Sequence, residues 1–271
     1  MNPMMISILT PSYNQGSFIE RNILSVLNQN YSSFEHIVID GGSNDNTVEI
    51  LKKYPHLKWV SEKDNGQADA LNKGLKTATG EIIGWVNSDD FYEPDIFNAV
   101  AKEFEDQNVQ WIVGNIKYYY EVDKHERPIK SPVITYNNLL KSPETVKQPA
   151  TFFRKSILER VGGWNVEYHL VMDYDLWLRL ARISTPKMVD KYWAIFTIQE
   201  AQKTIGHALL KQTGEIRRIM KREGAPDHYI LRVFVINNFY FIKFYIKSIL
   251  ISMGLIPSKY RCLKLIKRDS Y

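Results

Sequence analysis

The 271-residue sequence has a single cysteine, Cys262. That excludes an internal disulfide framework, and with no Cys or His neighbour at zinc spacing it excludes a thiolate zinc site. The chain lacks a basic segment leading into an apolar one at its start, where Met5-Ile6-Ser7-Ile8-Leu9 already reads as a strand. The expectation is therefore no secretory leader and a cytoplasmic location. No window of ~18 uncharged apolar residues occurs, which argues against a spanning helix. There is no glycine-rich loop carrying Arg and Lys after the first strand, as nucleotidyl transfer would want. No groove-reading or base-stacking motif is present either, so nucleic acid is not an expected partner.

What is present is an ordinary apolar fraction of 44%, enough for a large core without covalent staples. Charge is unevenly placed. From Lys211 onward there are 13 Lys and Arg against 4 acids, so this end carries +9 and the rest −4 of the net +5. A basic end on an acidic body points to an anionic partner.

Strands and helices alternate along the first third. Met5–Thr10 reads as a strand, followed by the turn-forming Pro11-Ser12-Tyr13-Asn14 and a helix whose core face is Ile19, Ile23, Val26 and Leu27. Glu35–Asp40 is a second strand, ending in Gly41-Gly42-Ser43. A third, Leu57–Val60, leads through Asp64-Asn65-Gly66 into a helix with Ala68, Leu71, Leu75 and Ala78 inward, leaving Asp69, Asn72 and Lys73 elsewhere. This alternation implies a parallel sheet with ligands at the carboxyl ends of its strands. The fourth strand, Glu81–Val86, delivers Asn87-Ser88-Asp89-Asp90 to the same rim. Two adjacent acids there either cap the next helix or hold a hard divalent cation, Mn or Mg, through oxygen ligands.

Beyond residue 92 the pattern weakens: Trp111–Glu121 reads as one or two strands and 123–148 as loops. A helix near Lys155–Val161 ends in Gly162-Gly163-Trp164, and a second acidic cluster, Met172-Asp173-Tyr174-Asp175-Leu176-Trp177, opens another helix. Asp173 sits where an N-cap would sit, and Asp175 where a first-turn acid favours the helix dipole. The division expected is 1–205, split into 1–92 and 93–205, followed by a basic, apolar helical extension over 206–271. In that extension Arg232, Lys243 and Lys247 fall within about 60° on a helix. A helix lying in lipid headgroups and one packed on the domain with its charges solvated both fit this stripe.

Taken together, Pro11–Asn14, Asp40 with its Gly-Gly-Ser, Asp64–Lys73, Asn87–Asp90, Gly-Gly-Trp and Met-Asp-Tyr-Asp-Leu-Trp make residues 5 to 205 resemble the family 2 glycosyltransferases of the GT-A fold, especially those of bacterial cell-surface polysaccharide synthesis. The resemblance implies an α/β fold with a Rossmann-like mixed sheet flanked by helices. It implies transfer, with inversion, of a sugar from a nucleoside diphosphate sugar donor, UDP-linked, to a hydroxyl of a glycan or lipid-linked saccharide acceptor. The nucleotide cradle it implies is Pro11, Ser12, Tyr13, Asn14, Asp40, Gly42, Asp64, Gly66, Asp69, Asn72, Lys73, Asn87, Ser88 and Asp89. Asp89, with Asp90 second, is then the metal ligand, and Asp173 the general base, its pKa raised by burial near Trp164 and Trp177. Those indoles and Gln148 serve either as a sugar or acceptor wall or as core. For Asp69 and Lys73 a solvated helix face is the competing reading.

Three departures from the family pattern stand out. Asn87 replaces the first acid of the Asp-x-Asp motif, Met172 the acid that commonly precedes the base, and the Arg-x-His after the last strand is missing, leaving Lys203 and Thr204 for the phosphate. A non-catalytic nucleotide-sugar-binding or scaffold protein of the same fold is the alternative. Peripheral membrane contact through 228–271 is the further expectation.

Overall fold

The computed structural model describes residues 3–143, 146–199, 208–253 and 255. Its first half is β1 (Ile6–Ser12), α1 (Ile19–Leu27), β2 (Phe34–Asp40), α2 (Thr47–Leu51), β3 (Leu57–Ser61), α3 (Gln67–Thr77) and β4 (Ile82–Trp85). These four strands are parallel in the order β3-β2-β1-β4. β1, β2 and β4 are buried along almost their whole length because helices cover both faces, whereas the edge strand β3 is largely exposed. After β1 the chain winds outward to β2 and β3, then returns to place β4 on the other side of β1. The order therefore reverses at the β1/β4 boundary, and the carboxyl ends of those two strands open a crevice there.

The second half is antiparallel and mixed: β5 (Phe91–Tyr92), α4 (Ile96–Glu103), β6 (Trp111–Tyr120), β7 (His125–Ile129), α5 (Tyr136–Lys141), a 3-10 turn at Gln148–Ala150, β8 (Thr151–Arg154), α6 (Lys155–Arg160), α7 (Met172–Ile183) and β9 (Lys187–Ile198). The sheet continues β4-β8-β6-β9-β5, with β7 on β6. The region 123–148, read from the sequence as loops with weakly marked elements, holds one strand and one helix among its described residues. Trp111–Tyr120 is one strand, paired with β8, β9 and β7.

Two apolar layers sandwich the sheet. On one face α3 and α7 cover Leu9, Ile39, Trp85 and Phe153; on the other, Val26 of α1 and Phe97 and Val100 of α4 cover Ile8, Ile82 and Phe152. The first layer is built around stacked rings. Trp177 lies parallel to Trp111 at 6.0 Å between centroids and to Phe153 at 5.7 Å. On α1 the phase differs by one position from expectation: Leu27 is exposed, and Asn22 shares the buried face with Ile19, Ile23 and Val26.

The boundary expected at 205 falls ahead of α8 (Ala208–Arg222), whose Ile216, Ile219 and Met220 join the first core layer. Asp175 is in the first turn of α7, as expected, and is fully buried. It accepts from Arg179 at 2.7 Å and from Arg222 of α8 at 2.6 Å, an ion pair that ties α7 to α8. The last helix, α9 (Asp227–Ser252), packs on α8 through Val233 and Asn237, with Asn237 Nδ2 donating to Thr213 Oγ1 at 2.9 Å. Its 26 residues span about 39 Å. By length and composition alone α9 is long and apolar enough to cross a membrane. That differs from the expectation drawn from its interspersed charges.

Candidate active site

The two loops at the ends of β1 and β2 are zipped together. Asn14, in the left-handed region at φ 53°, donates its N–H to Ser43 Oγ at 2.7 Å and accepts from Asn44 N at 2.9 Å. Gly41 N reaches Ser12 O at 2.8 Å. Tyr13 is left 55% exposed on this rim, an aromatic face free to stack on a base. Asp40 is fully buried, and its carboxylate accepts from Ser43 N, Ser43 Oγ and Ser61 Oγ, so it ties together the loops of β2 and β3. Gly42 takes a left-handed turn at φ 79°.

Asp64 accepts from Gly66 N at 2.9 Å. Gly66 opens α3 at φ 106° and ψ 178°, a conformation open essentially to glycine alone. Asp69 accepts from Asn65 N at 3.1 Å, and Lys73 reaches Glu62 at 2.7 Å, so both also serve the rim's own surface. Asn72 has a different role from the one expected. Its amide pairs with the backbone of Trp164 in both directions, at 2.9 and 2.7 Å, and lies so close to Gly163 (φ 69°) that a Cβ there would collide with it. Asn72 thereby docks the Gly-Gly-Trp loop onto α3.

The turn after β4 is wired into the sheet. Ser88 Oγ donates to Pro11 O at 2.8 Å, joining the β1 and β4 loops across the crevice. Asn87 Oδ1 accepts from Gln67 at 2.6 Å and from Trp85 Nε1 at 3.0 Å, while its Nδ2 donates to Gln148 Oε1 at 3.2 Å. Gln148 in turn donates to Trp85 O at 2.7 Å. Asn87 and Gln148 thus brace the turn against the end of β4.

The two acids that follow separate. Asp90 is buried, one oxygen accepting from Thr197 N at 2.8 Å and the other with no hydrogen-bond partner among the described residues. Burial, and then the neighbouring Asp89 charge, push its carboxyl well above the usual carboxylate range. Asp90 thus faces inward, while Asp89 keeps the surface position on the turn. Asp89 is half-buried at the rim and accepts from Gln199 Nε2 at 2.8 Å.

Asp173 lies one residue inside α7, whose N-cap is Val171. It is half-buried, accepts from Tyr174 N at 2.8 Å, and burial raises its carboxyl to about 6. His169, four residues earlier, lies against Gly66, so the loop into α7 rests on the N-terminus of α3 at the rim. The expected indole walls are core: Trp164 and Trp177 are each 1% exposed, Trp164 edge-on to Trp85 at 5.5 Å and Trp177 inside the ring stack. Lys203 and Thr204 lie outside the described residues. Gln67, Gln199 and Asn22 had no signal in the sequence, since isolated amides acquire their roles from what they touch.

Among the described residues no three His, Cys, Asp or Glu side chains cluster as a metal cage. Asp89 alone offers a carboxylate after β4. One carboxylate does not make a self-sufficient site, but it fits a hard cation that takes its other ligands from phosphate oxygens and water.

Residues 7–162 match the family described as "Glycosyl transferase family 2". The chondroitin synthase of Pasteurella multocida is 29% identical over 198 residues, covering 69% of this chain and 20% of that protein. Among solved structures, Staphylococcus aureus TarS 1-349 in complex with UDP-GlcNAc superposes with a TM-score of 0.61 at 21% identity, over 80% of this chain and 65% of that one. The mannosyltransferase PcManGT from Pyrobaculum calidifontis, in complex with GDP-Man and Mn2+, has a TM-score of 0.61 at 17% identity, over 89% of this chain and 71% of that one. The fold is that of the GT-A glycosyltransferases.

Proposed function

The chain belongs to glycosyltransferase family 2, and from that premise we propose that it is an inverting transferase moving a UDP-linked sugar onto a hydroxyl of a growing, lipid-linked surface glycan. The observation that carries this reading is Asp173, a half-buried carboxyl that burial raises to about 6, in the first turn of α7, whose preceding loop rests on the N-terminus of α3 through His169. An ordinary exposed Asp is too weak a base near neutrality, and burial brings this one toward the working range. In one displacement Asp173 takes the acceptor hydroxyl's proton as that oxygen bonds to the anomeric carbon. The bond to the diphosphate breaks, and the nucleoside diphosphate leaves with the electron pair.

Asp89 would hold Mn2+ or Mg2+, which when bound offsets the charge growing on the leaving diphosphate. Tyr13, Asn14, Asp64 and Gly66 form the nucleotide side of the rim. Support for a UDP donor is the UDP-GlcNAc of the TarS complex, and for the metal the Mn2+ of PcManGT. The glycan acceptor is supported by the likeness to chondroitin synthase.

Peripheral membrane contact belongs to the same reading. Leu231, Val235, Phe239, Ile242, Ile246 and Ile249 are about half exposed or more, and at 100° per residue they fall within about 80° of one another. Arg232, Lys243 and Lys247 flank that arc. An apolar stripe with a basic edge suits anionic headgroups, each basic residue adding about 1 kcal/mol near the surface.

A screen of UDP- and GDP-sugars, scoring nucleotide release with and without Mn2+ across glycan acceptors, tests the activity. Acceptor-dependent release from one donor is expected. Binding without release under every condition would favour the non-catalytic alternative. Flotation with phosphatidylglycerol vesicles tests the helix: the full chain should float and a chain lacking residues 228–271 should not, and equal partition of both overturns the membrane contact.

A further inference from the structure

The turn carrying Asp89 is held from beneath by a residue that the reaction itself does not use. Asn22 projects from α1, is 0% exposed, and donates both amide hydrogens upward. Its Nδ2 lies 2.9 Å from the carbonyl oxygen of Asn87 and 2.9 Å from that of Asp90, the two ends of the turn. Its Oδ1 faces Thr10 Oγ1 at 3.4 Å, and Thr10 Oγ1 lies 2.9 Å from Nε2 of His36. His36 is wholly buried and its pKa falls to about 3 because burial disfavours the cation, so the ring is neutral. With His36 donating from Nε2, the Thr10 hydroxyl donates to Asn22, and Asn22 then has both hydrogens free for the turn. A line of donors thus runs from β2 through β1 and α1 and ends on the two carbonyls flanking Asp89.

We propose that Asn22, oriented by Thr10 and His36, is a positioning residue that presets the Asn87–Asp90 turn for a cation-bound diphosphate. The inference rests on the reading of Asp89 as the ligand. Without Asn22 the Asp90 carbonyl loses this donor while the Asn87 carbonyl keeps the turn's own bond from Asp90 N at 3.0 Å, which frees the Asp90 end of the turn to shift, and residues that orient a ligand from outside its coordination shell are commonly worth about 10–100-fold in metal affinity. A purely structural role makes a different prediction: lower stability with unaltered metal response. The same helix supplies the control. Gln29 donates to Ser25 O and Glu93 O and accepts from Ile96 N, which is the same kind of buried amide clamp but directed at α4.

The experiment measures UDP binding by calorimetry as a function of Mn2+, without turnover, alongside thermal unfolding, for the wild type, Asn22→Ala, Thr10→Val and Gln29→Ala. Asn22→Ala should raise the Mn2+ concentration for half-maximal UDP binding about 10–100-fold. Thr10→Val, which keeps the amide's bonds to the turn but removes the hydroxyl that orients it, should raise it a few-fold. Gln29→Ala should melt earlier with the Mn2+ requirement unchanged. If folded Asn22→Ala binds like the wild type, the inference is wrong. If Asn22→Ala does not fold, an unshifted Thr10→Val overturns it equally. Should the wild type bind neither UDP nor GDP with Mn2+, the assignment of Asp89 fails first and this inference with it, a result distinct from wild-type binding that Asn22→Ala leaves intact.

Discussion

Replacing Asp173 by Asn separates catalysis from stability in opposite directions. The carboxyl is raised from an ordinary 3.8 to about 6 because burial disfavours its charge. The folded protein therefore binds this proton more tightly than the unfolded chain does. No stability is lost below about pH 3.8, the cost grows as pH rises from there, and it is complete above about pH 6. A gap of that size corresponds to about 3 kcal/mol. Roughly half of it develops between about pH 5 and about pH 7.5. Asn cannot ionise, so the melting temperature of Asp173→Asn relative to wild type should rise by a few degrees between those two pH values, at about 2–4 °C per kcal/mol for a protein of this size. In the same samples, transfer should fall about 10²–10⁴-fold, the usual contribution of general base catalysis, while donor binding by calorimetry is retained. Wild-type kcat/KM should rise through about pH 6 as the base ionises. A variant that transfers at the wild-type rate, or whose melting difference from wild type is the same at both pH values, refutes the assignment of Asp173 as a buried base.

Restoring the family's acid with Asn87→Asp is expected to harm the protein: Gln148 Oε1 loses its donor, and rotating Gln148 would forfeit its bond to Trp85 O. A loss of about 1–3 kcal/mol should appear as a lower melting temperature, and a variant that melts like wild type sinks this view of Asn87. Trp177→Ala opens the ring stack with Trp111 and Phe153. It should cost about 3–5 kcal/mol in denaturant titration with donor KM unchanged in the fraction that stays folded. A large KM change at unaltered stability would return Trp177 to the substrate wall.

How much of this was legible beforehand differs by region. The strand-helix alternation of the first half survived into the structure almost intact, since parallel strands buried on both faces leave long apolar runs that punctuate clearly against Gly, Pro and Asn turns. The second half was harder. β7, His-Glu-Arg-Pro-Ile, is a mostly exposed edge strand with no apolar alternation, and its pairing with β6 comes from a partner rather than from its own pattern. α8 looked like the start of a basic appendage, because its buried Ile216, Ile219 and Met220 are few among exposed Lys and Arg.

At the site, residue type and order along the chain were sufficient to expect four polar loops on one rim and to name Asp89 ahead of Asp90, and Asp173, as candidates. They could not show how differently Asp89 and Asp90 are placed. That depends on which carboxyl meets Thr197 N inside the protein and which stays at the surface beside Gln199. Nor could they show that Asp40, Asn72, Asn87 and Gln148 spend their polar atoms on the protein itself, or that Asn22 sits beneath the turn. Hydrophobic period and turn chemistry are local, and the sequence by itself determined what they control: the elements, their order and the rim they share. The partners of Asn22, Asn87 and Asp90 include groups 60 to 110 residues away, and only the tertiary structure brings those together.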